Sequence, residues 1–196
     1  MAERDPVKLD HTVDIAAPPV RVMAAFFDPQ ALATWLKVSR SLATPRPLGV
    51  YALEWPTSTS RDEILGPLGG VLHGTVIDHK AGRSFFVANV YWLPPEGDPI
   101  GPMALEVTCT ARGRIQAMLG TLKTRVQELL GSRRDLVADP PSQVSTTLRV
   151  MQSGYEEGDQ WRRYYEVIAK AVPEALDRLK RYLEEGQGVW DLRGYS

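Results

Sequence analysis

Near its end the chain carries one apolar stripe long enough to cover a sheet. Trp161, Tyr164, Tyr165, Ile168, Val172, Leu176, Leu179 and Leu183 recur at the spacing of a single helix face. Asp159 is a suitable N-cap for this helix, which is expected to run to about Glu185. Pro173 lies inside the pattern and is expected to kink or divide it near Ala171. Ahead of the helix lie strand-like segments at 49–55, 70–78, 84–92, 103–110 and 145–153, joined by Gly- and Pro-rich connections. Strands that follow one another through turns pair antiparallel. A curved antiparallel sheet needs its concave face covered, and the terminal helix is the element long enough to do it.

The front of the chain adds one strand and two short helices. Leu9, His11, Val13 and Ile15 alternate with Asp10, Thr12 and Asp14, the pattern of a half-buried strand. Pro18-Pro19 stops it and starts a helix with Val22, Met23, Phe26 and Phe27 on its apolar face. Asp28-Pro29 launches a second, carrying Leu32, Trp35 and Leu36. The expected order is strand, two helices, five strands and one long helix, an α+β fold in one domain over residues 1–185, with a tail at 186–196. Residues 111–144 interrupt this order. Arg112 to Arg134 reads as an amphipathic helix with Ile115, Met118, Leu119, Leu122, Val126, Leu129 and Leu130 on one side and basic residues on its flanks and other face. Such an insertion could pack outside the sheet, cover a cavity mouth, form a dimer contact, or present a basic surface to an acidic partner or membrane. The tail could pack on a neighbouring subunit or hang loose.

Bulk properties narrow the function classes. A net charge of −1 and a pI near 6.3 argue against nucleic-acid binding across the whole molecule. The one cysteine, Cys109, excludes an internal disulfide and fits a reducing, cytoplasmic compartment. No apolar run approaches the ~20 residues that span a bilayer, and MAERDPVKLD lacks the basic and apolar blocks of a signal peptide.

No catalytic set, metal cluster or cofactor motif is evident. His11, His73 and His79 have neither i, i+4 pairing nor a cysteine at ligand spacing. Cys109 falls in mid-strand among apolar neighbours, where a thiol is inert packing more often than a nucleophile. The stretch Gly66-Pro67-Leu68-Gly69-Gly70 lacks the lysine and hydroxyl of a phosphate loop. Aromatic residues are more telling. Tyr51, Trp55, Phe85, Tyr91, Trp92, Trp161, Tyr164 and Tyr165 lie on strands and on the helix that should cover them. Any one ring could simply fill the core, but together they suit an aromatic-walled concavity for a small molecule. Alternation also assigns polar side chains to the inner face: His11 with Val13 and Ile15, Asn89 and Tyr91 with Phe85 and Val87, and Gln152 with Leu148 and Val150. Inward polar groups must bond to each other, to water or to a ligand. A slip of one residue in register would reverse any of these assignments.

Several pieces, in order and spacing, resemble one family. These are Pro18-Pro19-x-x-Val22, Asp28-Pro29-x-x-Leu32-x-x-Trp35, Gly49-Val50-Tyr51, Gly74, Gln152-Ser153-Gly154-Tyr155 and Leu176-x-x-Leu179-Lys180-x-Tyr182-Leu183-Glu184. Together they resemble the activator of heat-shock protein 90 ATPase-like branch of the SRPBCC (START/Bet v 1-like) superfamily. The resemblance covers most of the chain outside 56–68, 111–144 and the tail. It implies a helix-grip fold: a curved antiparallel sheet wrapped around a long C-terminal helix, with a cavity between them. The chain departs from the pattern in its long basic insertion, in Gln152 where a histidine is common, and in Ala171-Val172 where a Gly-Trp pair enters the last leucine repeat. Members resemble hydrophobic-ligand carriers, polyketide cyclases and co-chaperone domains, so the fold alone does not decide among them.

The function expected first is non-enzymatic binding of a small hydrophobic or amphipathic molecule. His11, Tyr51, Trp55, Phe85, Asn89, Tyr91, Gln152, Trp161 and Tyr165 are the expected ligand-binding residues. Two alternatives remain: a cyclase- or hydrolase-like enzyme using His11 as acid–base, and a co-chaperone-type module, possible homodimer included, acting through the basic insertion.

Overall fold

The structure, a computed structural model, describes residues 7–112 and 144–185. The expected helix within 111–144 and the tail at 186–196 therefore lie outside the described residues, apart from Ala111, Arg112 and Val144.

Among the described residues the chain forms strand β1 (Leu9–Ile15), helices α1 (Pro19–Ala24) and α2 (Pro29–Trp35), and strands β2 (Arg40–Ala43) and β3 (Gly49–Trp55). A two-stranded strap follows, β4 (Arg61–Asp62) and β5 (Gly66–Pro67). The chain continues through β6 (Gly70–Lys80), β7 (Ser84–Leu93), β8 (Ile100–Arg112), β9 (Ser145–Ser153) and helix α3 (Asp159–Glu185). The main sheet has seven strands in the order β1-β9-β8-β7-β6-β3-β2, each pair antiparallel. This architecture fits the helix-grip fold.

Local chemistry explains the early turns. The Asp28 carboxylate accepts the Ala31 backbone N–H at 2.7 Å, and Pro29 occupies the first helical turn where no N–H is needed. Gly49 opens β3 beside a tight turn, where a Cβ would lie 2.4 Å from the Thr44 carbonyl oxygen. The core joins the inner face of the sheet to both helical layers: Phe26, Phe27, Tyr51 and Phe85 form one ring cluster, with Phe27–Phe85 centroids 4.9 Å apart.

Three expectations need correction. Helix α3 runs without division through Pro173. Asp159 is its first helical residue, with its carboxylate paired to Arg162. Strand β2 and the β4–β5 strap were not expected; each is too short to show an alternating pattern.

The sheet is also irregular where alternation assumed regularity. Val87 pairs with Leu105 and Val90 with Met103, so β7 carries one extra residue there. The same residue is extra against β6, where Thr75 pairs with Ala88 and His73 with Tyr91. Asn89, at φ 51, is in the left-handed region that Asn tolerates better than most residues. Opposite, Gly74 has no room for a side chain, since a Cβ would lie 2.7 Å from Val87 Cγ1. Bulge and glycine together bend the sheet and reverse the facing of β7 beyond Asn89.

Candidate functional site

Between the inner face of the sheet and α3 is a cavity of about 570 Å³, within the range of small-molecule sites. Strict alternation supplies its floor: Tyr51, Leu53 and Trp55 from β3, and Val150 and Gln152 from β9. Leu9, Leu72, Trp92 and Leu105 complete that side. The roof is one stripe of α3, with Tyr164, Val167, Ile168, Ala171, Val172, Ala175 and Leu176 at helical spacing. Residues of the strap and its flanks, including Ser58, Leu65 and Leu68, close one side, and Trp35, Leu36 and Lys37 from the end of α2 close another.

The tryptophans spend their polar atoms on the scaffold. Trp35 donates to the Ala25 carbonyl at 3.0 Å, Trp55 to the Leu36 carbonyl at 3.0 Å, and Trp92 to the Gly69 carbonyl at 2.8 Å. Each ring therefore offers the cavity an apolar face. Away from Lys37 and Arg178 at its edge, the polar side chains in the lining among the described residues are Tyr51, Ser58, Gln152 and Tyr164. Gln152 is 5% exposed; its Oε1 accepts from Tyr155 at 2.9 Å and its Nε2 donates to Tyr164 Oη at 3.3 Å and toward Met103 Sδ at 3.4 Å. Tyr164 thus accepts from Gln152 and retains its own hydrogen to donate. Tyr51 is buried and lines the cavity from β3. Burial raises the ionisation of all three phenols, pushing Tyr164 up to about 12 against the opposing Gln152 hydrogen bond. They remain neutral donors at physiological pH.

An ion pair fastens the strap to the roof. Arg163 on α3 donates to Asp62 Oδ2 through Nε at 2.8 Å, and Asp62 Oδ1 accepts the backbone N–H groups of Ile64 and Leu65, each at 3.0 Å. The Arg163 hydrogen bond, then those backbone donors, hold the Asp62 carboxyl down to about 2. The Asp62 side chain is 6% exposed and Arg163 also reaches Glu166 at 2.8 Å.

The expected ligand residues divide. Tyr51, Trp55 and Gln152 line the cavity. His11 shares the inner face of β1 with Leu9 and Val13 but does not line the cavity. Phe85 is wholly buried in the ring cluster with Phe26 and Phe27, away from the lining. Asn89 is exposed and Tyr91 stacks on His73, centroids 5.6 Å apart, because the β7 bulge puts Val90 and Trp92 inward instead. Trp161 and Tyr165 flank the inward stripe of α3 and pack on Tyr155, with centroids 6.2 Å and 5.3 Å away. Tyr164 is the inward ring of that turn. Sequence reasoning missed Lys37, Arg178 and the strap residues; only Tyr164 had a readable signal, its place midway between two other rings on one helix.

Elsewhere the Cys109 thiol is buried in β8, and desolvation raises it to about 12. Among the described residues no group of three or more His, Cys, Asp or Glu side chains could hold a metal ion, and no helix is long and apolar enough to cross a membrane.

No family model matches the chain, and no curated protein matches it. Solved structures do. Protein Ms6760 from Mycobacterium smegmatis is similar at a TM-score of 0.59 and 13% identity, over 94% of this chain and 96% of that one. Protein MLL2253 from Mesorhizobium loti is similar at 0.56 and 18%, over 95% and 100%. The Aha1 dimer from Colwellia psychrerythraea is similar at 0.51 and 13%, over 93% and 99%. At these identities the likeness is one of fold, and the fold fits the Bet v 1-like, Aha1-like type.

Proposed function

We propose that this protein binds a small hydrophobic or amphipathic molecule between the sheet and α3, and that it does so without chemical conversion. The observation that carries this reading is the cavity itself: about 570 Å³ walled by aliphatic and indole surface. A volume of that size inside a close-packed interior forfeits contacts that a ligand would restore. The spare hydrogen of Tyr164 gives a bound molecule a neutral donor. An enzymatic reading centred on His11 has less support, since His11 is not among the lining residues. A co-chaperone-type interaction module is the second reading, favoured by the likeness in fold to the Aha1 dimer. Native mass spectrometry of freshly purified protein, followed by denaturing extraction, tests the first reading. A near-stoichiometric apolar molecule is the expected result. Protein that is empty, and that takes up no apolar probe, refutes it.

A further inference from the structure

Among the described residues the cavity lining is charged at one place: Lys37 and Arg178 are its only cations, and no carboxylate lines it. Both residues also border an open groove of about 580 Å³ outside, between the end of α2 and the last turns of α3. They therefore mark the seam where the apolar interior meets solvent. Arg178 is fixed there: its Nε donates to the Trp35 carbonyl at 2.9 Å, and its terminal nitrogens have no partner among the described residues. Lys37 follows the Leu36 C-cap of α2 and has φ 61, the left-handed conformation for which glycine is the usual residue. A lysine at that position strains the backbone and sets an ammonium on the same rim as the guanidinium. Lys37 is exposed and makes no ion pair among the described residues. Arg181 adds a third cation to the outer groove, where Glu185 is the single acidic residue among the described residues.

Building on the ligand-binding reading of the cavity, we propose that the ligand is an amphipathic carboxylate. Its apolar body occupies the cavity and its anionic head is held at the rim by Lys37 and Arg178. The planar guanidinium suits two-point contact with a carboxylate, and lysine adds a mobile point charge. A wholly neutral ligand would leave both cations unmatched at the mouth of an apolar chamber.

The test compares decanoate with 1-decanol on the full chain, read by the fluorescence of Trp35, Trp55 and Trp92, all of which line the cavity. Native protein is expected to bind decanoate about tenfold more tightly than decanol, the scale of one charge-assisted hydrogen bond. That ratio should shrink as salt is raised. In Lys37→Gln/Arg178→Gln it should fall towards one. Lys37→Gly relieves the backbone, so it should lower the ratio while raising the melting temperature, a split that a purely structural lysine would not produce. Equal affinity for the two ligands in native protein overturns the carboxylate inference and leaves the cavity reading intact. Binding of neither ligand overturns both.

Discussion

Replacing Gln152 by leucine isolates the hydrogen-bond chain under the cavity. The native amide joins Tyr155 at 2.9 Å to Tyr164 at 3.3 Å while only 5% exposed. Leucine keeps the volume and removes both links. Tyr155 is half-buried and can turn to water, but Tyr164 is 4% exposed and loses its donor. An orphaned buried polar group costs ~1–3 kcal/mol, offset in part by the apolar burial that leucine gains. Net destabilisation of ~1–2 kcal/mol is expected. For a chain of this length that corresponds to a fall in Tm of about 2–8 °C. Urea denaturation of Gln152→Leu, Tyr164→Phe and the double variant gives the coupling directly. Removing both polar partners together should cost less than the two single losses added, by ~1 kcal/mol. Additivity within ~0.3 kcal/mol would show that the amide and phenol are energetically independent, and would refute the chain as drawn.

Other perturbations follow from the strap, the roof and the thiol. Asp62 titrates at about 2 in the folded protein against 3.8 ordinarily; its lowered value adds stability that is complete above pH 4 and lost as pH falls from 4 towards 2. Asp62→Asn should be less stable at neutral pH and show a flatter stability profile in that window, measured by thermal melts across pH. Ala175→Leu adds apolar bulk to a cavity-lining position on α3, so it should abolish uptake of apolar probes without lowering Tm, read by probe fluorescence and calorimetry. Cys109, raised to about 12 by burial, should resist a thiol reagent at pH 8 in folded protein and react at once in denaturant.

How far the sequence disclosed this molecule depended on regularity. In β3 and β9 the segments expected at 49–55 and 145–153 form as expected, and alternation places Tyr51, Trp55 and Gln152 on the inner face. In β7 the same reasoning inverted Asn89 and Tyr91, because a bulge adds a residue that no period-2 pattern contains. Asparagine opposite a strand glycine was the only hint of it. On α3 the apolar stripe was plain but its phase was not: with rings at Trp161, Tyr164 and Tyr165, packing alone decides which one points inward. Lys37 and Arg178 lie far apart in sequence and meet only where α2 ends against α3. No local signal could have joined them.

The three indole N–H groups tied to main-chain carbonyls act as struts. They brace the chamber from its corners, so its shape does not depend on being filled. A guest therefore meets a finished room and loses little free energy to reorganising the host. Affinity along a homologous series of straight-chain guests should then climb by ~0.8 kcal/mol for each added methylene. It should stop abruptly where the chain meets the far wall, because braced walls do not yield to a longer one.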